Sequence, residues 1–237
     1  MSAELNQPKP GMSTKKKWII GCGGCLGVVV IGLVALAVLG VLGFNAFKEA
    51  SGNSVKEIFG ASYKPETAGY QVIGLPLKQG KLNNIVLLLN AEQGWFVVAL
   101  DMEAKAADMQ VLKSGKPESI RAYLEKTSAE VSDSTQGRSS KIQDLRFSPA
   151  QLVPVGKGKN MPVAGAVAEL EGKKGKEYGP AVAALVPEAG QHLVILVATS
   201  PAQSSTDPNA DFSAEQKTLQ DIVLKIVKDS ELDDRLQ

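Results

Sequence analysis

Between Trp18 and Phe47 the chain carries no charged residue, and a run of that kind has few places where it can stably lie. The stretch WIIGCGGCLGVVVIGLVALAVLGVLGF exceeds the roughly 20 apolar residues a helix needs to cross about 30 Å of hydrocarbon, so residues 18–44 are expected to span a membrane once. Lys15, Lys16 and Lys17 stand directly before the run, with Lys9 further back and only Glu4 opposing them. The far flank mixes Lys48, Glu49, Lys56 and Glu57. Cytoplasmic flanks carry the excess of Lys and Arg, so residues 1–17 read as a cytoplasmic basic tail and everything after the span as exported. Trp18 suits the interface, where aromatic residues collect.

A cleaved signal peptide is the competing arrangement. It requires a shorter apolar region and then a small-x-small site. Ala35-Leu36-Ala37 has those residues, but the apolar stretch from Val38 to Phe44 follows it directly. Ile19-Ile20-Gly21-Cys22 resembles a lipobox and lacks the apolar region that should precede one. The segment is therefore expected to remain as a signal-anchor.

Small residues recur inside it. Gly23 and Gly27 form a GxxxG pair, and Gly32 and Ala35 extend the small face along a seam with Gly21, Cys25, Val28 and Leu39. Such spacing lets two helix backbones approach closely, which suggests self-association through the span. Cys22 and Cys25 are the only cysteines and lie at i, i+3 within this segment, where small packing residues are the natural reading. The exported part therefore has no thiol for a disulfide or a zinc site.

Past the span, residues 45–64 are polar and mixed and read as a juxtamembrane stalk. A folded unit is expected over residues 65–230, with 231–237 as a tail. Gly69 to Leu75 alternates as a strand does, and Asn84–Asn90 and Trp95–Met102 form a hairpin around Ala91-Glu92-Gln93-Gly94. Pro117 opens a helix with Ile120, Tyr123, Leu124, Thr127 and Val131 on one side. Strand signals resume at Ile142–Phe147, Leu152–Val155, Val163–Leu170, Ala181–Val186 and Leu193–Ala198, divided by turn-like segments. Ser213 and Gln216 have the spacing of a capping box before a stripe of Leu219, Ile222, Val223, Ile226 and Val227. The class these elements define is α+β, an antiparallel sheet with packed helices.

Ala164 to Leu170 as a long strand, the turn at Lys173-Lys174-Gly175-Lys176, the strand ending in Ala198-Thr199-Ser200-Pro201 and the last helix resemble the α/β sandwich family of PsbP, Mog1 and the DcrB-like lipoproteins. The resemblance implies a noncatalytic scaffold or assembly role. The aromatic residues common in that family's C-terminal strands are largely missing here.

Chemistry is sparse. Net charge is +1, from 26 basic and 25 acidic residues, which sets nucleic acid aside because that partner demands a clearly basic face. His192 is the only histidine, which removes any two-histidine zinc site, and no Gly-x-Ser-x-Gly elbow accompanies it. Asp207-Pro208-Asn209-Ala210-Asp211 begins like a calcium loop, then has Phe212 where glycine is required and Thr218 where the bidentate glutamate should stand. Asp101 and Glu103 share a strand face and are candidates for paired acid and base work. Lys157 and Lys159, then Lys173, Lys174 and Lys176, load two hairpin loops with positive charge that would meet anionic head groups or an acidic partner if the loops lay on one rim. No cofactor or metal is called for.

The expectation is a single-pass protein of a bacterial inner membrane whose exported, noncatalytic domain binds or assembles with a membrane or envelope partner. The bacterial setting follows from an exported part with neither cysteine nor an Asn-x-Ser/Thr site. The alternatives are an extracytoplasmic enzyme built on a carboxylate pair, or a subunit of a membrane complex acting mainly through its span.

Overall fold

The structure, a computed structural model, describes residues 49–79, 81–134, 142–172 and 175–236. The predicted span 18–44 lies outside these residues, and among them no helix is long and apolar enough to cross a membrane.

A single antiparallel sheet organises the chain. Its strands are β1 (Gln71–Gln79), β2 (Leu82–Asn90), β3 (Trp95–Glu103), β4 (Ile142–Phe147), β5 (Gln151–Gly156), β6 (Lys159–Gly172), β7 (Gly175–Pro187) and β8 (His192–Thr199). They lie in the order β1-β2-β3-β8-β7-β6-β4, with β5 also paired to β6. The α+β class expected from the alternating pattern is what forms. β4 and β5 share the outer edge of β6, facing Ala166–Leu170 and Lys159–Val163 respectively. Between them runs Ser148-Pro149-Ala150, where Pro149 has no amide hydrogen to give the ladder.

The period of two sends alternate side chains to opposite faces, and both faces are covered. On the first lie α1 (residues 49–59), α4 (Ser213–Asp229) and α5 (Leu232–Arg235). Ile58, Phe59, Val223, Val227 and Leu232 pack there on Val86, Val97, Ala184 and Leu196. On the second lie α2 (Ala106–Lys113) and α3 (Pro117–Ser134), whose Leu112, Ile120 and Leu124 meet Ala166, Ala183, Leu185 and Ile195. Burial from both sides explains why β7 reads as an unbroken apolar run, with every residue from Tyr178 to Pro187 buried.

Two stretches read as linker or tail belong to the fold. The stalk region supplies α1, whose Ser51, Ser54, Val55, Ile58 and Phe59 are buried, followed by buried Tyr63. At the other end, α5 buries Leu232 and Leu236. α2 was not evident from sequence. The expected capping box does not form: the Ser213 amide donates to Asp211 Oδ1 at 2.9 Å, and Gln216 Nε2 reaches across to the Ala166 carbonyl at 2.8 Å.

α1 crosses β1 closely because Gly74 lacks a side chain. A Cβ there would lie 2.6 Å from the Ser51 carbonyl oxygen, and the Gly74 amide already donates to Ser51 Oγ at 2.7 Å. Gly165 is also crowded, but by the movable amide of Gln216, at 2.9 Å. Gly74→Ala should therefore destabilise the protein by about 1–3 kcal/mol, the usual range for overpacking, and Gly165→Ala by less. Urea unfolding of both variants checks the order.

Candidate functional site

A group of charged side chains, several of them half-buried, gathers at one end of the first face. Asn84 on β2 stands opposite Asp101 on β3, and Glu103 stands opposite His192 on β8. Alternation along each strand turns Asn84, Asp101 and His192 to the side where α1 and α5 pack. α1 contributes Glu57, the residue after β7 is Glu188, and α5 contributes Arg235.

Asn84 is only 4% exposed, and its amide nitrogen donates to Glu57 Oε2 at 2.7 Å and to Asp101 Oδ2 at 3.0 Å. One neutral donor thus holds together two carboxylates that would otherwise repel. The other oxygen of Asp101 lies 3.9 Å from His192 Nδ1, beyond hydrogen-bond reach, and His192 stands at the solvent rim. Arg235 Nη1 donates to Glu188 Oε2 at 3.3 Å and to the Glu57 carbonyl at 3.2 Å, while Nη2 donates to the Ile58 carbonyl. The cation therefore satisfies carbonyls at the end of α1, where a helix leaves acceptors unpaired and favours positive charge.

Burial pushes the Glu188 carboxyl above its ordinary value; Arg235 opposes this most, Asp101 adds to the rise and His192 opposes it. The arrangement locks α1, α5 and the β7–β8 connection to one another. A recess beside Met102, Glu103, Asp108 and Tyr123 has a volume of about 10 Å³, room for roughly one water, whereas small-molecule sites run to hundreds of cubic ångströms.

The paired-carboxylate expectation named Asp101 and Glu103. Asp101 is joined instead, through Asn84, to Glu57, and Glu103 is exposed. The Asp207–Asp211 loop turns its carboxylates onto backbone: Asp207 Oδ1 accepts from the Asn209 amide at 2.9 Å, and Asp211 accepts from Ser213. The Ser213 hydroxyl and amide hold the Asp211 carboxyl below its usual range. Among the described residues no group of three or more His, Cys, Asp or Glu side chains is placed to hold a metal.

The basic loops do not share a rim. β6 has 14 residues, so its ends are about 40 Å apart. Lys157 and Lys159 stand at one end and Lys176 pairs opposite the other. Lys157 forms ion pairs with Asp233 and Asp234, and Lys159 donates to the carbonyls of Asp233 and Asp234 at 3.2 and 2.8 Å. Lys176 and Arg146 flank Glu169, and the Lys176 hydrogen bond holds that carboxyl below its usual range. Lys173 and Lys174, like Gly23, Gly27, Gly32 and Ala35 of the expected span, lie outside the described residues. Sequence reasoning missed the Asn84 and Arg235 roles; the apolar spacing of Leu232 and Leu236 was the signal that the final residues return to the core.

Comparison with known protein families finds no family model that matches the chain, and comparison with characterised proteins finds no match either.

Because Glu188 has a raised carboxyl, its protonated form is favoured by folding. That stabilisation is complete below the unfolded value, near pH 4.3, and is lost as pH rises through the higher folded value. Protonated Glu188 resembles glutamine, so Glu188→Gln should differ least from the parent in acid and gain on it as pH rises to 7. Denaturant midpoints across that range test the sign; a parent that gains on the variant would show that Arg235 outweighs burial.

Proposed function

We propose that this chain is a single-pass protein of a bacterial cell membrane, with residues 1–17 cytoplasmic, residues 18–44 spanning, and the α+β domain held outside as a binding or assembly module. The observation that carries this is the uncharged run of residues 18–47, which begins immediately after Lys15–Lys17. Residues 45–48 alone stand between the proposed span 18–44 and α1, a connection short enough to keep the domain near the membrane surface. The noncatalytic reading draws on the site geometry: Glu57, Asp101, Glu188 and Arg235 are occupied in joining helices to the sheet. The resemblance to the PsbP, Mog1 and DcrB-like family points to an assembly role as well. A reporter active only outside the cytoplasm, fused after Gln237, should be active, and inactivity would overturn the topology.

The glycine spacing favours a second element, association between copies through the span. Gly23, Gly27, Gly32 and Ala35 remove side-chain bulk along one seam, and helices in lipid gain from close packing because leaving lipid gives apolar groups no hydrophobic advantage. Replacing Gly23 and Gly27 with Ile should weaken association severalfold in a membrane two-hybrid assay while leaving insertion intact. Equal association in the double variant would make these glycines ordinary span residues.

A further inference from the structure

The carbonyl end of α1 is closed by residues far along the chain. A helix leaves its last four carbonyls without partners from the helix itself. In α1 the first of these, on Lys56, accepts from the Gly60 N–H at 3.0 Å. The next three turn to α5 and the residue before it: Glu57 accepts from Arg235 Nη1 at 3.2 Å, Ile58 from Arg235 Nη2, and Phe59 from the Glu231 N–H at 2.8 Å. The Glu231 carboxylate also lies over Gly60, where a Cβ would collide with it, and accepts from the Ser62 N–H at 3.3 Å and hydroxyl at 3.0 Å.

α5 has little to hold it in place by itself. Four residues do not persist as a helix alone, and what seats them is the burial of Leu232 and Leu236 with contacts to Lys157 and Glu188. In the Lys157–Asp234 pair the side chains are 61% and 64% exposed, a setting in which ion pairs hold weakly. The seat is also incompletely satisfied. Arg235 Nε and Glu188 Oε1 are buried without a hydrogen-bond partner, and such groups cost free energy that water returns once they are uncovered. Opening of α5 hydrates both, whereas opening of β7 or β8 breaks a ladder on each side and uncovers both faces of the sheet.

We infer that residues 231–236 form a latch: they open as one unit ahead of the sheet, and the last turn of α1 opens with them. Such coupling is reciprocal, so whatever loosens the end of α1 loosens α5, and the reverse. In the open state the carbonyls of Glu57, Ile58 and Phe59 lose their donors and Lys157 loses its acids. The latch belongs to the described domain and stands apart from the membrane reading.

Amide hydrogen exchange of the purified full chain, read by mass spectrometry, tests it. In the parent, residues 58–62 and 232–236 should exchange through one opening, with the same urea dependence and about tenfold or more faster than β7 and β8. Arg235→Met removes two caps from the α5 side and should speed exchange at 58–62 about tenfold. Gly60→Ala, placed at a φ of 93° and against Glu231, should do the same at 232–236. In both variants β7 and β8 should keep the parent's protection. Separate urea dependences in the parent, exchange there no faster than in β7 and β8, a variant that moves only its own element, or a rise shared by the whole sheet would each overturn the latch. Should a variant not fold, the parent's shared or separate opening decides.

Discussion

The pairing of β6, β7 and β8 is the constraint that the other elements obey. These strands sit between helix layers, so neither face can carry a polar row and the backbone ladder must satisfy every buried amide and carbonyl. The two faces solve the packing differently. Toward α2 and α3, β6 and the first half of β7 present Ala164, Ala166, Ala168, Ala181 and Ala183, small residues that let helices approach closely, with the larger Leu185, Leu193 and Ile195 beside them. Toward α4 the strands present larger Met161, Val163, Val182, Val186 and Leu196, with Gly165 left open for the Gln216 amide. A change of volume at any of these positions is felt by both a helix and its neighbouring strands, because interiors are close-packed.

That double burial also decides how much of the fold could be read from the residues. Strands buried on both faces produce apolar runs such as Ala181–Val186, which are conspicuous, and the hairpin at Ala91–Gly94 is marked by glycine at a positive φ of 72°. α1 was obscured because its buried stripe mixes Ser51 and Ser54 with Val55, Ile58 and Phe59. Those serines are there for contact, since Ser51 bonds to the Gly74 amide where a larger side chain would not fit. Periodicity of apolar residues alone passes over such a helix. The Ser213 and Gln216 spacing misled for a related reason: Asp211 reaches the first turn of α4 first, and the glutamine is worth more to the buried Ala166 carbonyl than to the helix start.

The polar cluster was legible only in part. Asp101 and His192 stood out as chemistry-bearing residues, but their partners arrive from distant sequence: Glu57 is separated from Asn84 by 27 positions and Arg235 from Glu188 by 47. No local pattern announces such a meeting. The candidate lysines show the complementary failure. Positive charge in Lys157, Lys159 and Lys176 was visible, whereas the acids and carbonyls that receive it, on α5 and β6, were set by topology. A surface ion pair contributes little on its own, typically 0–1 kcal/mol; here the Lys157 and Lys159 contacts serve mainly to seat a four-residue helix that could not persist alone.

The position of α1 has a mechanical consequence for anything attached ahead of it. With Ile58 and Phe59 fully buried and its final carbonyls bonded to Arg235, α1 is part of the core and not a tether laid over it. A force or restraint applied at residue 49 therefore passes into β1 through Ser51 and Gly74, and into β2 and β3 through the Glu57, Asn84 and Asp101 contacts. Pulling α1 free would strip Val55, Ile58 and Phe59 from the first face, each worth about 1.5–3 kcal/mol of buried side chain, and leave Asn84 without one of its two acceptors. A load on residue 49 in this way reaches the core directly: α1 cannot be drawn off the sheet without removing a wall of that core.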